Sequence, residues 1–298
     1  MPEEGIMLRD KAEFMSAEEV YTIAKTFVGL GVKKIRLTGG EPLIKKAAPE
    51  IIRLLSQLDV KLCITTNAVI VDQFIAQFKE AGIRDINVSL DSLIEERFNA
   101  ISRRSFFNRI VDNIELLIQE GFNVKVNMVV IRGKNEDEII DFIEWTKTKP
   151  IEIQFIEFMP FDGNKWDTTQ TYSIAEIVKQ ATDYYETGLN RIADEPNDTS
   201  RNYKVNGYAG SFGIISSITN PFCDSCNRIR LTADGKIKNC LFSNDETDLL
   251  TALRNGENIT PLIHQSIESK KHKRAGINDF ATDKAIYENN RSMTTIGG

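Results

Sequence analysis

Short apolar segments alternate with helical segments over the first half of this 298-residue sequence. The apolar segments begin roughly 25 to 35 residues apart, which is the length of one βα unit. Strands that are joined through helices run parallel, because the crossover returns the chain to the same end of the sheet. The sequence therefore predicts a parallel sheet with five strands, at Lys33–Thr38, Leu62–Asn67, Asp85–Leu90, Asn123–Ile131 and Ile151–Met159.

The segments between these strands carry helix signals. Ser16 and Glu19 form a capping box that predicts a helix up to Leu30, and further helices are predicted over 48–58 and 107–120. No G-x-G-x-x-G motif follows the first strand, which weighs against a dinucleotide-binding fold and favours a βα barrel. The first helix has no strand before it, so we expect that one strand of the barrel belongs upstream of Met1.

The pattern changes after Met159. We predict a partial βα barrel over residues 1–159 and a C-terminal α+β extension over residues 160–298, packed on the barrel. Within the extension, the sequence predicts a polar loop at 161–171, a helix at 174–185, short strands at 203–205 and 212–218, and a basic, solvated helix end at 268–274.

The bulk composition excludes several classes of protein. The net charge of −6 and the pI of about 5.3 disfavour a protein that coats nucleic acid or an acidic membrane. No segment has the length of a membrane span, and the N-terminal residues contain no signal-peptide core. Four cysteines are too few for a disulfide framework and favour metal binding in a reducing compartment. We therefore expect a cytoplasmic protein.

Polar residues collect where the predicted strands end, which is the edge that binds ligands in βα barrels. Such clusters are also typical of ordinary turns, but a turn does not explain Lys125 inside an otherwise apolar strand. Gly39 and Gly40 would let the backbone approach a ligand closely. The clusters are Thr38–Pro42, Thr65–Asn67, Ser89 with Asp91, Lys125 with Asn127, and Glu157 with Met159.

Cysteines provide the second candidate site. Cys223 and Cys226 form a C-x-x-C motif, and Cys240 follows on the returning strand of a predicted hairpin. This arrangement favours a metal over plain reduced core cysteines, and a count of three thiolates favours an iron–sulfur cluster with one open iron over zinc. Zinc and reduced cysteines remain alternatives, because zinc needs a fourth ligand. The candidates for that ligand are distant: Cys63, which is predicted as a core residue, and His264 and His272, which are predicted on the surface.

Two arginines are predicted beside the third cysteine. If the hairpin turns at residues 233–235, Arg228 lies opposite Cys240, and Arg230 lies opposite Lys238. Paired residues share one face of a hairpin, so the site would combine thiolates with a group of cations. Such a group is suited to an anionic substrate.

Together these residues resemble the molybdenum-cofactor biosynthesis protein A family, the radical S-adenosylmethionine (SAM) enzymes known as GTP 3',8-cyclases. The resemblance covers essentially the whole chain, whereas GGEP alone would indicate only the wider superfamily. It rests on IRLTGGEPL (35–43), ITTN (64–67), INVSLDSL (86–93), VKVNMVV (124–130), QFIEFMP (154–160), FCDSCNRIRLTADGKIKNCLF (222–242) and the terminal Gly-Gly.

The resemblance implies an incomplete (βα)6 TIM-like barrel, here without its first strand, and a C-terminal α+β extension that carries an Fe–S site. In the family, an N-terminal 4Fe–4S cluster cleaves SAM to a 5'-deoxyadenosyl radical. The radical takes the H3' hydrogen of GTP, and C3' joins C8 of the guanine. A second 4Fe–4S cluster binds the guanine through its open iron.

The resemblance also implies partners and site residues. The partners are GTP and SAM, with no nucleic acid and no membrane. The product passes to the next molybdopterin-pathway enzyme, and a homodimer is left open. By motif match, the cluster ligands are Cys223, Cys226 and Cys240; the GTP residues are Arg36, Thr65, Lys125, Arg228 and Arg230; the SAM residues are Gly40, Ser89 and Met159; and Gly297 with Gly298 form a tail that reaches into the active site.

Two departures from the family pattern matter. Ala68 stands where the family usually has Gly, and the C-x-x-x-C-x-x-C motif of the radical-generating cluster is absent, so no catalytic residue is assigned. We therefore expect an N-terminally truncated member that is inactive alone and binds SAM and a second cluster only when the missing N-terminus is present. The alternatives are another radical SAM enzyme with an auxiliary cluster, and a nucleotide-binding relic that retains only that cluster.

Overall fold

The strands form two sheets in the computed structural model, which describes residues 10–161, 164–283 and 290–296. The expected strands of the first half are present, each within a few residues of its predicted bounds. The strands are β1 Lys34–Leu37, β2 Lys61–Thr66, β3 Asp85–Ser89, β4 Asn123–Val130, β5 Glu152–Glu157, β6 Leu189–Arg191, β7 Ser200–Val205, β8 Ser211–Ile215, β9 Arg230–Leu231, β10 Lys236–Lys238 and β11 Thr247–Asp248.

The larger sheet has the order β1-β2-β3-β4-β5-β8-β7-β6. Strands β1 to β5 pair in parallel, and β8 adds to β5 in parallel as well. Strands β7 and β6 then extend the sheet in antiparallel fashion. This parallel-rich sheet confirms the α/β class. It also runs across residue 160, and the division into two regions at that point stays a prediction.

Helices cover one face of this sheet. Ser16 caps the first helix with the predicted capping box, and the helix at 107–119 lies within one residue of its predicted bounds. The helices are α1 Ala17–Gly29, α2 Ala48–Leu55, α3 Ile75–Glu80, α4 Glu95–Ser102, α5 Phe107–Gln119, α6 Ile139–Trp145, α7 Ile174–Tyr185, α8 Leu249–Arg254, α9 Thr260–Glu268 and α10 Met293–Ile296.

Alternation along the strands separates a core face from a polar face. Successive side chains of a strand point to opposite faces. Ile64, Ile86, Val126 and Phe155 are buried on the face that packs against the helices, and the helices contribute residues such as Phe142 to the same core. The intervening strand positions are largely polar, so the opposite face of the sheet is available for a ligand.

The inner part of the hairpin after β8 has the predicted register, whereas the predicted pairing of Arg228 with Cys240 lies beyond the ends of both strands. Arg230 of β9 pairs with Lys238 of β10 in antiparallel register, and the Thr232 N–H donates to the Lys236 carbonyl at 2.9 Å. Gly235 has φ of 71° in the turn, and a side chain there would collide with Leu250. The turn therefore requires glycine for both its conformation and its packing.

The basic segment near residue 270 corrects one expectation. Helix α9 ends at Glu268, so residues 269–273 do not continue the helix. Arg274 and Ala275 follow with φ of 44° and 55° in a short 3-10 turn. This segment folds back toward the cysteines instead of forming a solvated helix end. Within the described residues, no helix is long and apolar enough to cross a membrane.

Candidate functional site

One row of polar side chains crosses the open face of the sheet. The register places Thr65 beside Asn87, Asn87 beside Lys125, and Lys125 beside Glu152. From β1, the guanidinium of Arg36 donates to the Asn87 amide oxygen at 2.8 Å. The structure thus brings together Arg36, Thr65 and Lys125, which the family resemblance implies for GTP.

The sequence interpretation missed Asn87 and Glu152 in this row. Asn87 is buried and holds Arg36 in place, while the Glu152 carboxylate lies 2.6 Å from the Lys125 ammonium. Their signal was present in the sequence, because polar residues occupy every second position of β3 and of the first part of β4 and β5. A ligand that binds Lys125 must compete with Glu152 or bind beside the ion pair.

The three residues implied for SAM lie at or beyond the carboxyl ends of their strands. Gly40 is exposed in the turn after β1, Ser89 is the last residue of β3, and Met159 follows β5. In a parallel sheet these ends share one edge, so the placement agrees with a common site. Met159 packs in an apolar cluster with Phe161. No interaction that would join the three residues directly is observed within the described residues.

Glu41 shapes the same edge. Its carboxylate accepts hydrogen bonds from the Thr66 hydroxyl at 2.8 Å and from the Asn67 N–H at 2.6 Å. Burial of the carboxylate raises its pKa, and these hydrogen bonds oppose the rise. Glu41 therefore connects the turn after β1 to the turn after β2, and the predicted cluster at residues 38–42 has a structural function at least.

Glu157 positions the loop that leads to the cysteines. Its side chain is buried and accepts hydrogen bonds from the Ile218 N–H at 2.7 Å, the Thr219 N–H at 3.2 Å and the Ser216 hydroxyl at 3.2 Å. Glu157 was predicted to face a ligand at the strand ends together with Met159. The structure instead places it beneath the connection from β8 to Cys223.

The three late cysteines come together. Burial raises the pKa of the Cys223 thiol, a backbone N–H of Arg274 opposes that effect, and the nearby Cys240 and Cys226 thiols raise the pKa further. The Cys226 N–H donates to the Cys223 carbonyl at 3.1 Å within a short 3-10 turn. The thiols are thus close enough to interact electrostatically, and all three are partly buried.

The three thiols are a donor set of the kind that iron–sulfur clusters use. Within the parts of the chain that the structure describes, no three His, Cys, Asp or Glu side chains converge tightly enough to hold a single ion. In a cluster each thiolate binds a different iron, so the sulfurs need not share one ion. Of the candidate fourth zinc ligands, Cys63 is buried in β2 and His264 is exposed, whereas the exposed His272 lies with its Nε2 3.6 Å from the Asp224 carboxylate in the cysteine loop.

Arg228 and Arg230 connect the cysteines to the polar face of the sheet. Desolvation lowers the pKa of Arg228, the Cys226 thiolate opposes this effect, and the positive charge of Arg36 adds to it. Desolvation likewise lowers the pKa of Arg230. The nearby Cys240 opposes this effect, and the positive charge of Arg228 adds to it. Arg228 remains solvent-accessible. Arg228 therefore lies within electrostatic range of Arg36, Arg230 and the Cys226 thiol, and Arg230 lies within range of the Cys226 and Cys240 thiols.

Lys238 does not join this cationic group. It is 1% exposed and its ammonium donates to the Asn290 amide oxygen at 3.0 Å, with Glu246 at 3.6 Å. Although Lys238 pairs with Arg230 in the hairpin, its ammonium group is buried and bound by Asn290 and Glu246. The predicted group of cations beside the third cysteine therefore consists of Arg228 and Arg230 without Lys238.

The C-terminal segment packs beside the same site. Ile296 is 3% exposed and belongs to an apolar cluster with Phe161 and Phe242, against which Cys240 and Met159 also pack. The predicted tail residues Gly297 and Gly298 lie outside the described residues. The last described residues before them are therefore fixed next to the third cysteine.

Comparisons with known proteins establish the family. Residues 4–146 match the Radical SAM superfamily, and residues 151–276 match Molybdenum Cofactor Synthesis C. The chain is 41% identical to the Arabidopsis thaliana protein "GTP 3',8-cyclase, mitochondrial", over 100% of this chain and 76% of that protein. The chain belongs to the GTP 3',8-cyclase family.

A second member of this family supports the assignment. The "GTP 3',8-cyclase" of Alkaliphilus oremlandii is 39% identical over 100% of this chain and 92% of its own length. The chain spans about half the length of several animal relatives named Molybdenum cofactor biosynthesis protein 1, at 50% and 47%. Among solved structures, Streptococcus suis SuiB bound to S-adenosylmethionine matches with a TM-score of 0.59 and 14% identity, covering 84% of this chain and 60% of that one. This likeness shows the radical SAM fold alone.

Proposed function

We propose that this protein acts as a GTP 3',8-cyclase in molybdenum cofactor biosynthesis. The observation that carries the proposal is the row of Arg36, Thr65 and Lys125 on the open face of the sheet. Arg228 lies within electrostatic range of both Arg36 and the Cys226 thiol, and Arg230 within range of the Cys226 and Cys240 thiols. We propose that the sheet forms part of an incomplete (βα)6 barrel, as the order of its parallel strands supports. Residues 160–298 would then be the extension that carries the Fe–S site.

In the proposed site, Cys223, Cys226 and Cys240 hold a 4Fe–4S cluster. Such a cluster supplies an open iron that can bind a nitrogen or oxygen atom of the guanine. Arg228 and Arg230 bind the triphosphate through charge-assisted hydrogen bonds, and Arg36 and Lys125 extend the cationic surface across the sheet. Thr65 lies in the same row and offers a hydroxyl to the nucleotide.

Gly40, Ser89 and Met159 are proposed to bind SAM at the adjacent strand ends. The radical step needs a second cluster with three cysteine ligands, and such a set is not found among the cysteines of this sequence. For this chain we therefore propose GTP binding at the C-terminal cluster. Cyclisation of GTP is proposed for a form of the protein that also contains the cysteine ligands of the second cluster. Transfer of the product to the next pathway enzyme, a homodimer and a cytoplasmic location remain predictions; one relative is named as mitochondrial.

Cluster reconstitution under anaerobic conditions tests the proposal. About four irons and four sulfides per chain, with a change in the electron paramagnetic resonance spectrum on adding GTP, are expected. Arg230→Gln should weaken GTP binding by about 10- to 100-fold, because one hydrogen bond to a charged group contributes about 1.5 to 3 kcal/mol. Arg53→Gln, on the exposed surface of α2, is the matched control.

The outcomes separate the alternatives. Zinc or no metal, with no GTP binding, would overturn the proposed site. The second outcome concerns a form of the protein that also contains the radical-cluster cysteines. If its C-terminal cluster is loaded and responds to GTP but no cyclised nucleotide forms, the nucleotide-binding relic is favoured. A different nucleoside or peptide as the preferred ligand would favour another radical SAM activity.

A further inference from the structure

Lys270 reaches one of the proposed cluster ligands from outside the hairpin. Its ammonium lies 3.4 Å from the Cys226 sulfur, 3.3 Å from the Cys226 carbonyl oxygen and 3.0 Å from the Arg228 carbonyl oxygen. An ammonium has three N–H donors, and here each has a partner on the cysteine loop. This side chain is partly buried, whereas the neighbouring Lys271 is exposed.

The backbone around Lys270 is fixed by the hairpin itself. The buried Asn239 side chain, next to Cys240, donates to the Ser266 carbonyl at 2.8 Å and to the Ser269 hydroxyl at 3.2 Å. The end of α9 is thereby attached to the segment directly after β10, which bears the third cysteine. The position of the Lys270 ammonium follows from this attachment and does not depend on a freely moving surface side chain.

A second group of the same segment reaches Cys223. The Arg274 backbone lies close enough to the Cys223 thiol to act on it, and it lowers the pKa that burial raises. Arg274 and Ala275 adopt the left-handed conformation there, with φ of 44° and 55°, which costs free energy in residues other than glycine. The Arg274 guanidinium also donates to the Ile218 carbonyl at 3.1 Å, which secures the turn against the loop before the cysteines.

We propose that residues 269–276 form a cationic clasp in which Lys270 is the positioning residue for Cys226 and raises the reduction potential of the cluster. The inference rests on the proposed function, since it requires a cluster at the three cysteines. Reduction adds one negative charge to the cluster and its thiolates. A cation in contact with one ligand sulfur stabilises the reduced form more than the oxidised form, and hydrogen bonds to the ligand sulfurs act in the same direction.

The test compares Lys270→Met with Lys270→Arg, Lys270→Gln and the exposed control Lys271→Met in the reconstituted protein. The readouts are the midpoint potential, from anaerobic titration followed by electron paramagnetic resonance, and the rate of iron loss to a chelator. We expect Lys270→Met to shift the redox equilibrium at least about tenfold toward the oxidised cluster, about 59 mV for one electron. Lys270→Arg should retain most of the wild-type potential, and Lys271→Met should match the wild type.

The outcomes distinguish a failure of the proposed function from a failure of the proposed role of Lys270. If the wild-type chain binds no cluster, the proposed function fails. If the wild type is loaded and Lys270→Met or Lys270→Gln has the wild-type potential, the electrostatic role of Lys270 is overturned, even when the variant loses iron faster. If Lys270→Met cannot retain the cluster, the comparison of Lys270→Gln with Lys270→Arg still measures the effect of charge.

Discussion

At the scale of the residue, Ala68 occupies a backbone conformation that usually belongs to glycine. Its φ is 57°, its side chain is fully buried, and its carbonyl accepts a hydrogen bond from Asn113 at 2.6 Å. The left-handed conformation costs about 1 to 2 kcal/mol in a residue with a Cβ atom. Glycine would remove this strain. It would also increase the conformational entropy of the unfolded chain and remove a buried methyl group, and these two effects together should destabilise the folded protein by about 1 kcal/mol or somewhat more.

We predict that Ala68→Gly changes the free energy of unfolding by less than about 0.5 kcal/mol, because these effects nearly cancel. The matched control is Ala24→Gly, in the buried face of α1, where no strain is relieved. There the loss of helix propensity and of a buried methyl group should cost about 2 kcal/mol. Urea denaturation measures both values. Equal destabilisation by the two substitutions would contradict a strained Ala68.

Glu152 makes a second prediction at this scale. Its carboxylate is paired with Lys125 at 2.6 Å on the polar face that we propose for GTP. Glu152→Gln should strengthen GTP binding by about two- to fivefold, because a negative charge that competes for Lys125 and repels the phosphates is removed. Isothermal titration with the cluster-loaded protein measures the change. Weaker binding would mean that Glu152 itself contacts the nucleotide.

At the scale of the element, the loop from β8 to Cys223 depends on the buried carboxylate of Glu157. Glu157→Gln retains the size of the side chain but removes the charge that three donors share. We expect a loss of about 1.5 to 3 kcal/mol in the free energy of unfolding, together with faster iron loss from the reconstituted cluster. Glu50→Gln, at an exposed ion pair of α2, should leave both quantities unchanged. An unaltered rate of iron loss would show that Glu157 does not hold the cysteine loop in place.

The same scale shows what the sequence could and could not predict. The strands β1 to β5, helix α5 and the hairpin register follow from local periodicity, capping and turn chemistry, which are short-range. The parallel pairing of β8 with β5 depends on contacts across 50 or more residues and leaves no local signal. The path of residues 269–276 likewise depends on Asn239 and the cysteine loop, so a basic run alone suggested a solvated helix end.

The candidate site divides in the same way. Motif spacing predicts Cys223, Cys226 and Cys240 as one set, because all three lie within one hairpin and its preceding turn. Asn87 and Lys270 were missed, because the importance of each depends on a partner from a distant segment: Arg36 for the first and Cys226 for the second. Pairwise contacts between remote segments are the information that a single sequence provides least directly.

At the scale of the whole molecule, one ion-pair network joins the C-terminal segment to the hairpin of the cysteines. The Arg291 guanidinium donates to both oxygens of Asp234, at 2.8 and 2.9 Å, and also contacts Glu246. Asp234 is 4% exposed at the turn of the hairpin. Asn290, directly before Arg291, donates to the Leu241 carbonyl at 2.8 Å. These contacts precede the buried Ile296 and therefore hold the end of the described chain next to Cys240.

We predict that Arg291→Gln releases this segment while the main sheet remains folded. The substitution leaves the Asp234 and Glu246 carboxylates poorly compensated and should weaken the attachment of the C-terminal segment by about 2 to 4 kcal/mol. Lys238 limits this loss, because it stays close to Glu246. Amide hydrogen exchange at residues 293–296 should become at least about tenfold faster, since about 1.4 kcal/mol corresponds to a factor of ten, whereas exchange in β4 should not change.

Arg291→Lys separates charge from geometry in the same measurement. It retains the positive charge but cannot form the two parallel hydrogen bonds to Asp234, so an intermediate exchange rate is expected. Unchanged exchange in both variants would show that apolar packing of Ile296 against Phe161 and Phe242 is sufficient to hold the segment. If the segment is released and GTP binding also weakens, then anchoring of the C-terminal residues contributes to the nucleotide site, because none of the substituted groups belongs to the proposed GTP contacts.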